Sequence, residues 1–303
     1  MQLGQRLFRC GCCGFIYLAP DFDDTSVARF YECEYRRLFT TEARRPDDMT
    51  FFRQQRMQEI GDERARTLAP LIPPGGRVFE LGSGYGGFLQ ALHRLRPDVS
   101  LFASEPDVKN RLALLDGVPV TFLDDLSSGP VGEFDLVVLF HVLEHLKNPC
   151  EVLSDIRRRL APSGRLIIEV PDVLAPWSGW QDIHPAHLSY FSAATLDRLL
   201  RMAGFVPEAV GPHPSPELLR GTLCGSARLP RVGESIFRPR APNAAEIAVL
   251  DAHLSRYAWQ MRDRLKRRLK QAMVRMFGAE RVGEWQRRLR RRRQARCSAA
   301  GCP

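Results

Sequence analysis

The 303-residue chain contains no apolar run long enough to cross a bilayer, which would take about 20 consecutive apolar residues. Its first ten residues, MQLGQRLFRC, lack the apolar stretch of an export signal, so a cytoplasmic protein is expected. In that compartment the eight cysteines are expected as thiols rather than as a disulfide framework. No segment repeats, and no glycine-rich loop ends in Gly-Lys-Ser/Thr, which excludes a P-loop. A hydrophobic fraction of 44% is enough for one substantial core with appendages, and excludes a chain too polar to fold.

Charge of one sign is scarce outside one region. Arg262 to Arg296 hold 15 Lys/Arg against 3 Asp/Glu, a surplus larger than the whole-chain charge of +9, so the remainder is mildly acidic. Basicity belongs to a tail. A nucleic-acid patch on the rest of the molecule is not expected.

The sequence divides into three zones. Residues 1–60 hold a cysteine cluster and then a polar, aromatic-bearing helical lead-in, and residues 231–303 form a Pro/Arg-rich linker and a basic helical tail. Between them, residues 61–230 alternate strand-like and helical patterns. Strands are expected at Arg77–Leu81, Val99–Ser104, Val118–Leu123, Phe134–Phe140, Leu166–Val170, Phe205–Val210 and Leu223–Arg228. The run FDLVVLF is nearly continuously apolar, as expected of a central strand covered on both faces. Helices are expected from Tyr85 to Leu95, from Asn148-Pro149 to a stop at Pro162-Ser163-Gly164, and from Ser192 to Gly204. This alternation predicts an α/β fold with a doubly wound, mainly parallel, seven-stranded sheet.

The most informative stretch is Glu80-Leu81-Gly82-Ser83-Gly84-Tyr85-Gly86-Gly87, between a strand and a helix. Gly82, Gly84 and Gly87, with Glu105 at the next strand's end, also satisfy a dinucleotide fingerprint, so an NAD-dependent oxidoreductase stands as a competing reading. Glu80 argues against it. A pyrophosphate at this helix start would meet a carboxylate at the strand's tip, whereas a cationic ligand would be welcomed there. Glu105 suits either ligand, because a carboxylate accepts hydrogen bonds from both ribose hydroxyls.

ELGSGYGGFL, ASEPD, LDDL, FDLVVLFHVLEHL, LAPSGRLIIEVPD and HLSYFSAATLDRLLRMAGF together resemble the ordered motifs of class I S-adenosylmethionine-dependent methyltransferases, nearest the sugar and small-molecule branch. The resemblance runs from about Phe52 to Arg228. It implies a Rossmann-like fold with an antiparallel last strand at the sheet edge, S-adenosyl-L-methionine as cofactor, and a small-molecule acceptor. By position, it implies that Glu80, Gly82, Gly84 and Gly86 line the methionine part, and that Glu105 binds the ribose. Asp124 or Asp125 would lie near the adenine amino group, and His141 near the transferred methyl.

Methyl transfer needs the acceptor held in line with the sulfonium, and often a base for the acceptor's proton. Candidates are His141, His145, His184 and His187. The segment around His184, His187, Tyr190, Phe191 and Ser192 resembles one in sugar C-methyltransferases, with Ile183 and Ala186 departing from that pattern. His187 is the first choice as base, with Trp177, Trp180, Tyr190 and Phe191 as an aromatic wall. His141-Val142-Leu143-Glu144-His145 also fits an inverted zinc-peptidase motif, but that chemistry needs a helix and a third, distant ligand. No metal is therefore expected, and Glu144 and His145 are read as braces for the next helix.

At the N-terminus CGCCGFIYLAP resembles the second half of a zinc knuckle, with Cys10 and Cys13 as its ligand pair. In the tail, Ile247, Leu250, Leu254, Met261, Leu265, Leu269 and Met273 give an amphipathic helix with a basic face. It suits an anionic membrane surface, with RNA or an acidic partner as further readings, and a solvated or dimerising face as the plain one. A non-catalytic RNA or membrane adaptor on this fold remains a third reading, against which the intact Glu80, Gly82, Gly84 and Glu105 set counts.

Overall fold

A computed structural model describes residues 6–11, 13–19, 48–107, 110–111, 117–123, 129–175, 187–236 and short stretches between 244 and 252. The chain divides into two compact units, 1–243 and 244–303. In the second, only the helical pieces 244–245, 247–249 and 251–252 are described. In the first, the elements are β1 (Arg6–Arg9), β2 (Ile16–Ala19), α1 (Asp48–Leu68), β3 (Arg77–Leu81), α2 (Gly87–Leu95), β4 (Ser100–Ser104) and β5 (Val120–Phe122). They continue as β6 (Phe134–Phe140), α3 (Pro149–Arg159), β7 (Leu160–Pro171), β8 (Ser189–Tyr190), α4 (Ala193–Met202), β9 (Val206–Pro212) and β10 (Thr222–Arg228).

β6 explains the layering. Its alternate residues enter two separate cores: Val137 and Leu139 on one face, Leu136, Val138 and Phe140 on the other. The first face is covered by Leu153 and Ile156 of α3 and by Leu196 and Leu200 of α4. Ala65 and Leu68 of α1, with Phe88, Leu89 and Leu92 of α2, cover the second. A strand buried on both sides must be apolar nearly throughout, and FDLVVLF is apolar but for the half-buried Asp135, whose carboxylate accepts from Arg77 N–H at 2.8 Å.

The sheet has the order β5-β4-β3-β6-β7-β10-β9. Neighbours from β5 to β7 pair in parallel, and β10 pairs antiparallel with both β7 and β9. This is the doubly wound, mainly parallel, seven-stranded sheet of the sequence expectation. The antiparallel strand, however, is not at the edge. β9 takes that place, half exposed and carrying Pro207 and Pro212, which cannot donate to a ladder. β10, more buried, fills the gap between β7 and β9.

Two local expectations are also corrected. α2 starts at Gly87 rather than Tyr85, because Gly86 occupies a left-handed N-cap (φ 74°). α3 ends at Arg159, and β7 begins at once with Leu160; Pro162-Ser163-Gly164 lie within an irregular early part of the strand, not in a helix-ending loop. The Ser192 cap is as expected, with its Oγ accepting from the Thr195 N–H at 3.3 Å and Thr195 closing the box.

The N-terminal cysteine segment belongs to a β-hairpin. β1 and β2 pair with β8 in a separate three-stranded sheet, order β1-β2-β8. Leu18 N–H donates to Leu188 O at 3.0 Å, and the Arg198 guanidinium donates to Cys13 O at 2.5 Å. The hairpin thus holds Leu188 to Tyr190, just after His187.

α1 crosses the start of α2 at very close range. A Cβ on Gly61 would lie 2.4 Å from the backbone oxygen of Gly87. Gly61→Ala is therefore expected to lower stability by about 1–3 kcal/mol through overpacking, read as a fall in the urea midpoint. An unchanged midpoint would mean that the helix moves aside without cost.

Candidate active site

The carboxyl ends of β3, β4, β6 and β7 meet on one side of the sheet, where ligands bind in open α/β folds. After β3 the chain turns through Gly82 (φ 72°), Gly84 (φ 53°) and Gly86 (φ 74°), conformations that side chains rarely tolerate. Gly82 N–H donates to Ser104 O at 2.7 Å, and a Cβ at Gly82 would lie 2.6 Å from Val142 Cγ2. At Gly84 the same construction meets nothing within 4 Å among the described residues.

Two carboxylates frame this loop. Glu105 is buried; its Oε2 accepts from Gly84 N–H at 2.7 Å, and its Oε1 from Asp107 N–H at 3.0 Å and the Asn110 amide at 3.2 Å. Glu80 is also buried, and its Oε2 has no hydrogen-bond partner among the described residues. Burial pushes the Glu80 carboxyl up to about 8; Glu105 and Glu169 reinforce the rise, and Arg64 opposes it. A buried carboxyl with an unsatisfied oxygen beside an open glycine turn fits a cationic, hydrogen-bond-donating ligand, which favours its ionised form.

His141 follows β6 directly. It is the one non-glycine residue with positive φ (56°) among those described, a conformation held where neighbours dictate it. Its N–H donates to Glu169 O at 2.9 Å, and its Nδ1 lies 3.4 Å from Glu144 Oε1. Leu143–His145 form one 3₁₀ turn, which buries Glu144. The His145 and His187 rings meet edge to face at 4.8 Å, and Leu188 N–H donates to Glu144 O at 2.8 Å. Two parts of the chain expected to carry imidazoles are thus drawn together. His184, Asp124, Asp125, Trp177 and Trp180 lie outside the described residues.

Sequence reasoning missed a buried ionic group behind His141. Glu169 in β7 receives Arg64 of α1 at 2.5 Å and lies 3.3 Å from His213 Nε2. Arg64 also stacks on the Phe140 ring at 4.0 Å. Burial alone would raise the Glu169 carboxyl, but the His213 hydrogen bond and Arg64 hold it below the usual range. Cys224, beside it, is pushed up to about 12 by burial and by Glu169, so it is an inert thiol. His213 Nδ1 accepts from Ser215 N–H at 3.0 Å, which leaves the proton on Nε2 facing Glu169. With both nitrogens engaged, His213 is a wall and not a base. The available signal was the charge interrupting the apolar run LIIEV, which no buried strand keeps without a partner.

A cavity of about 590 Å³ adjoins this group, with Asp172, His187, Ser189, Tyr190, His213 and Thr222 among its walls. Its size suits a small molecule.

Fold and site together define a class I S-adenosylmethionine-dependent methyltransferase. Residues 52–210, more than half of the chain, match the methyltransferase-domain family, and the chain belongs to it; its cofactor is S-adenosyl-L-methionine. It is 30% identical over 107 residues to a ubiquinone biosynthesis O-methyltransferase of Xanthomonas axonopodis pv. citri (strain 306), covering 33% of this chain and 45% of that protein. A second such enzyme, from Xanthomonas oryzae pv. oryzae (strain PXO99A), is 28% identical over 102 residues, or 31% and 42% of the two chains. The chain therefore spans less than half the length of these relatives. Among solved structures, an S-adenosylmethionine-dependent methyltransferase from Mesorhizobium loti is 19% identical, with a TM-score of 0.44 over 54% of this chain and 96% of that one. No helix among the described residues is long and apolar enough to cross a membrane.

Proposed function

We propose that the chain methylates a small polar acceptor, a sugar or a sugar-bearing intermediate, held in the cavity beside His187. The observation that supports this reading is a cavity lined by His187 and by residues at and beyond the carboxyl end of β7, at the same end of the parallel strands as the glycine turn after β3 and the strained His141 after β6. The relatives named as O-methyltransferases favour a hydroxyl as the attacked group. Bound S-adenosylmethionine supplies an electrophilic methyl on a sulfonium.

In this reading Glu80 accepts from the ammonium of the methionine part, and Gly82, Gly84 and Gly86 let the backbone approach it. Glu105, whose oxygens keep lone pairs beyond the three hydrogen bonds they already accept, takes the ribose hydroxyls. Asp124 takes the adenine side by resemblance alone. His141, fixed by the Glu169 carbonyl, borders the methyl, and His187 receives the acceptor's proton, with His184 a further candidate by resemblance alone. Labelled-methyl transfer from S-adenosylmethionine into fractionated sugar, lipid and RNA pools tests the acceptor class; label entering RNA alone would overturn it.

His187→Ala should retain cofactor affinity and lose about 100-fold or more in turnover. Full turnover with the true acceptor would remove His187 from the chemistry. The basic tail, by its composition, is proposed to rest on an anionic membrane surface. Flotation of the full chain with anionic vesicles should be lost when Arg290 to Arg293 are changed to Gln, and equal flotation of both would end that proposal.

A further inference from the structure

We propose that Glu144, His145 and His187 bind a divalent first-row transition ion, with zinc as the working probe, leaving one coordination position open toward the acceptor cavity. One ligand atom from each residue lies within 4.8 Å of the others. Two imidazoles and one carboxylate are a donor set for zinc, and three protein ligands are what a site with an open position provides. Bonds of about 2.1 Å would bring the ligand atoms to roughly 3–4 Å apart, so modest side-chain rotations complete the site.

The independent observation is Glu144. Its side chain is 1% exposed, and neither carboxylate oxygen has a hydrogen bond among the described residues; the nearest imidazole nitrogens are those of His141 at 3.4 Å and His145 at 3.9 Å. A carboxylate so enclosed is unfavourable unless a charge or a proton compensates it. A dication among these groups compensates it directly. The scaffold is already in place: the 3₁₀ turn sets Glu144 beside His145, and the Leu188 N–H bond to Glu144 O fixes His187 next to them. The third, distant ligand that the sequence motif lacked is thus supplied from before β8.

His187 also lines the cavity, which Glu144 and His145 do not, so the open position is placed on the His187 side, toward the space assigned to the acceptor. An ion there would acidify a hydroxyl or water bound to it. This inference rests on the acceptor reading of that cavity and deepens it: His187 would hold the ion instead of taking the proton itself, and the proton of the ion-bound hydroxyl would pass to solvent water as its oxygen takes the methyl and S-adenosylhomocysteine leaves.

The test uses the full chain, stripped with a chelator and titrated with Zn²⁺ and separately with Co²⁺. Cys10 and Cys13 offer a competing thiolate pair, so Cys10→Ser/Cys13→Ser is titrated alongside. That variant should still bind one ion, with a cobalt spectrum free of thiolate charge-transfer bands. Glu144→Gln and His187→Ala, each shown to be folded by unchanged circular dichroism and S-adenosylhomocysteine binding, should weaken binding about 100-fold or more. Zinc binding that disappears with the two cysteines, or that persists in Glu144→Gln, overturns the site. Methyl transfer undiminished in stripped protein overturns the ion's role while leaving the acceptor reading intact. One bound ion without transfer to any pool leaves the site standing and removes the acceptor reading.

Discussion

Affinity for S-adenosylmethionine should rise about tenfold per pH unit between about pH 6 and 7.5, with one proton released on binding. In the folded chain the Glu80 carboxyl sits at about 8, above its ordinary value of 4.5, so it holds its proton at neutral pH. A ligand whose ammonium prefers the carboxylate must first expel that proton. The window ends near pH 7.5 because the ligand's own α-amino group begins to titrate at about 7.7–8.0. The same shift sets a stability trend in the absence of cofactor. A carboxyl raised on folding contributes stability that is fully present below about 4.5 and is lost progressively as the pH climbs to about 8. Glu80→Gln copies the protonated form. It should fold at least as well at pH 8, bind the cofactor about 10–100-fold more weakly, and show no pH slope. Calorimetry in buffers of differing ionisation enthalpy measures both the slope and the proton. A slope retained in Glu80→Gln would place the titrating group elsewhere.

Arg64→Met should be the most damaging single change outside the glycine turn, at about 3–5 kcal/mol of stability. Arg64 is the guanidinium that meets Glu169 at 2.5 Å and opposes the upward shift of Glu80. Without it, two buried carboxyls lose their common cation. Glu169→Gln in the same background should recover part of the loss, because a neutral amide needs no counter-charge. Urea unfolding of the two single variants and the double variant gives the coupling. Strict additivity would mean that the two groups do not depend on each other.

How much of this was legible in the chain differs between local and distant features. The glycine turn, the apolar β6 and the Ser192 cap are encoded by adjacent residues, and each lies where its pattern predicts. The early start of β7 was hidden because Pro162-Ser163-Gly164 carries turn chemistry, which an irregular strand tolerates as readily as a helix end does. The place of β10 was misjudged, although the prolines of β9 mark β9 as the edge. The least legible feature was the Arg64, Glu169 and His213 group. Its members come from α1, β7 and the residue after β9, and no spacing rule links positions so far apart in sequence. The meeting of His145 with His187 is of the same kind. The residues were recognised singly, and only the fold makes them neighbours.

The small sheet of β1, β2 and β8 joins the chain's opening residues to a strand about 170 positions later. Such a contact closes a very long loop for a few hydrogen bonds, and is expected to form after the central sheet and to fray before it. The wall that carries His187 would then be the last part of the catalytic unit to assemble and the first to loosen on warming. Cleavage within the first twenty residues would leave the seven-stranded core folded and β8, just after His187, without its strand partner.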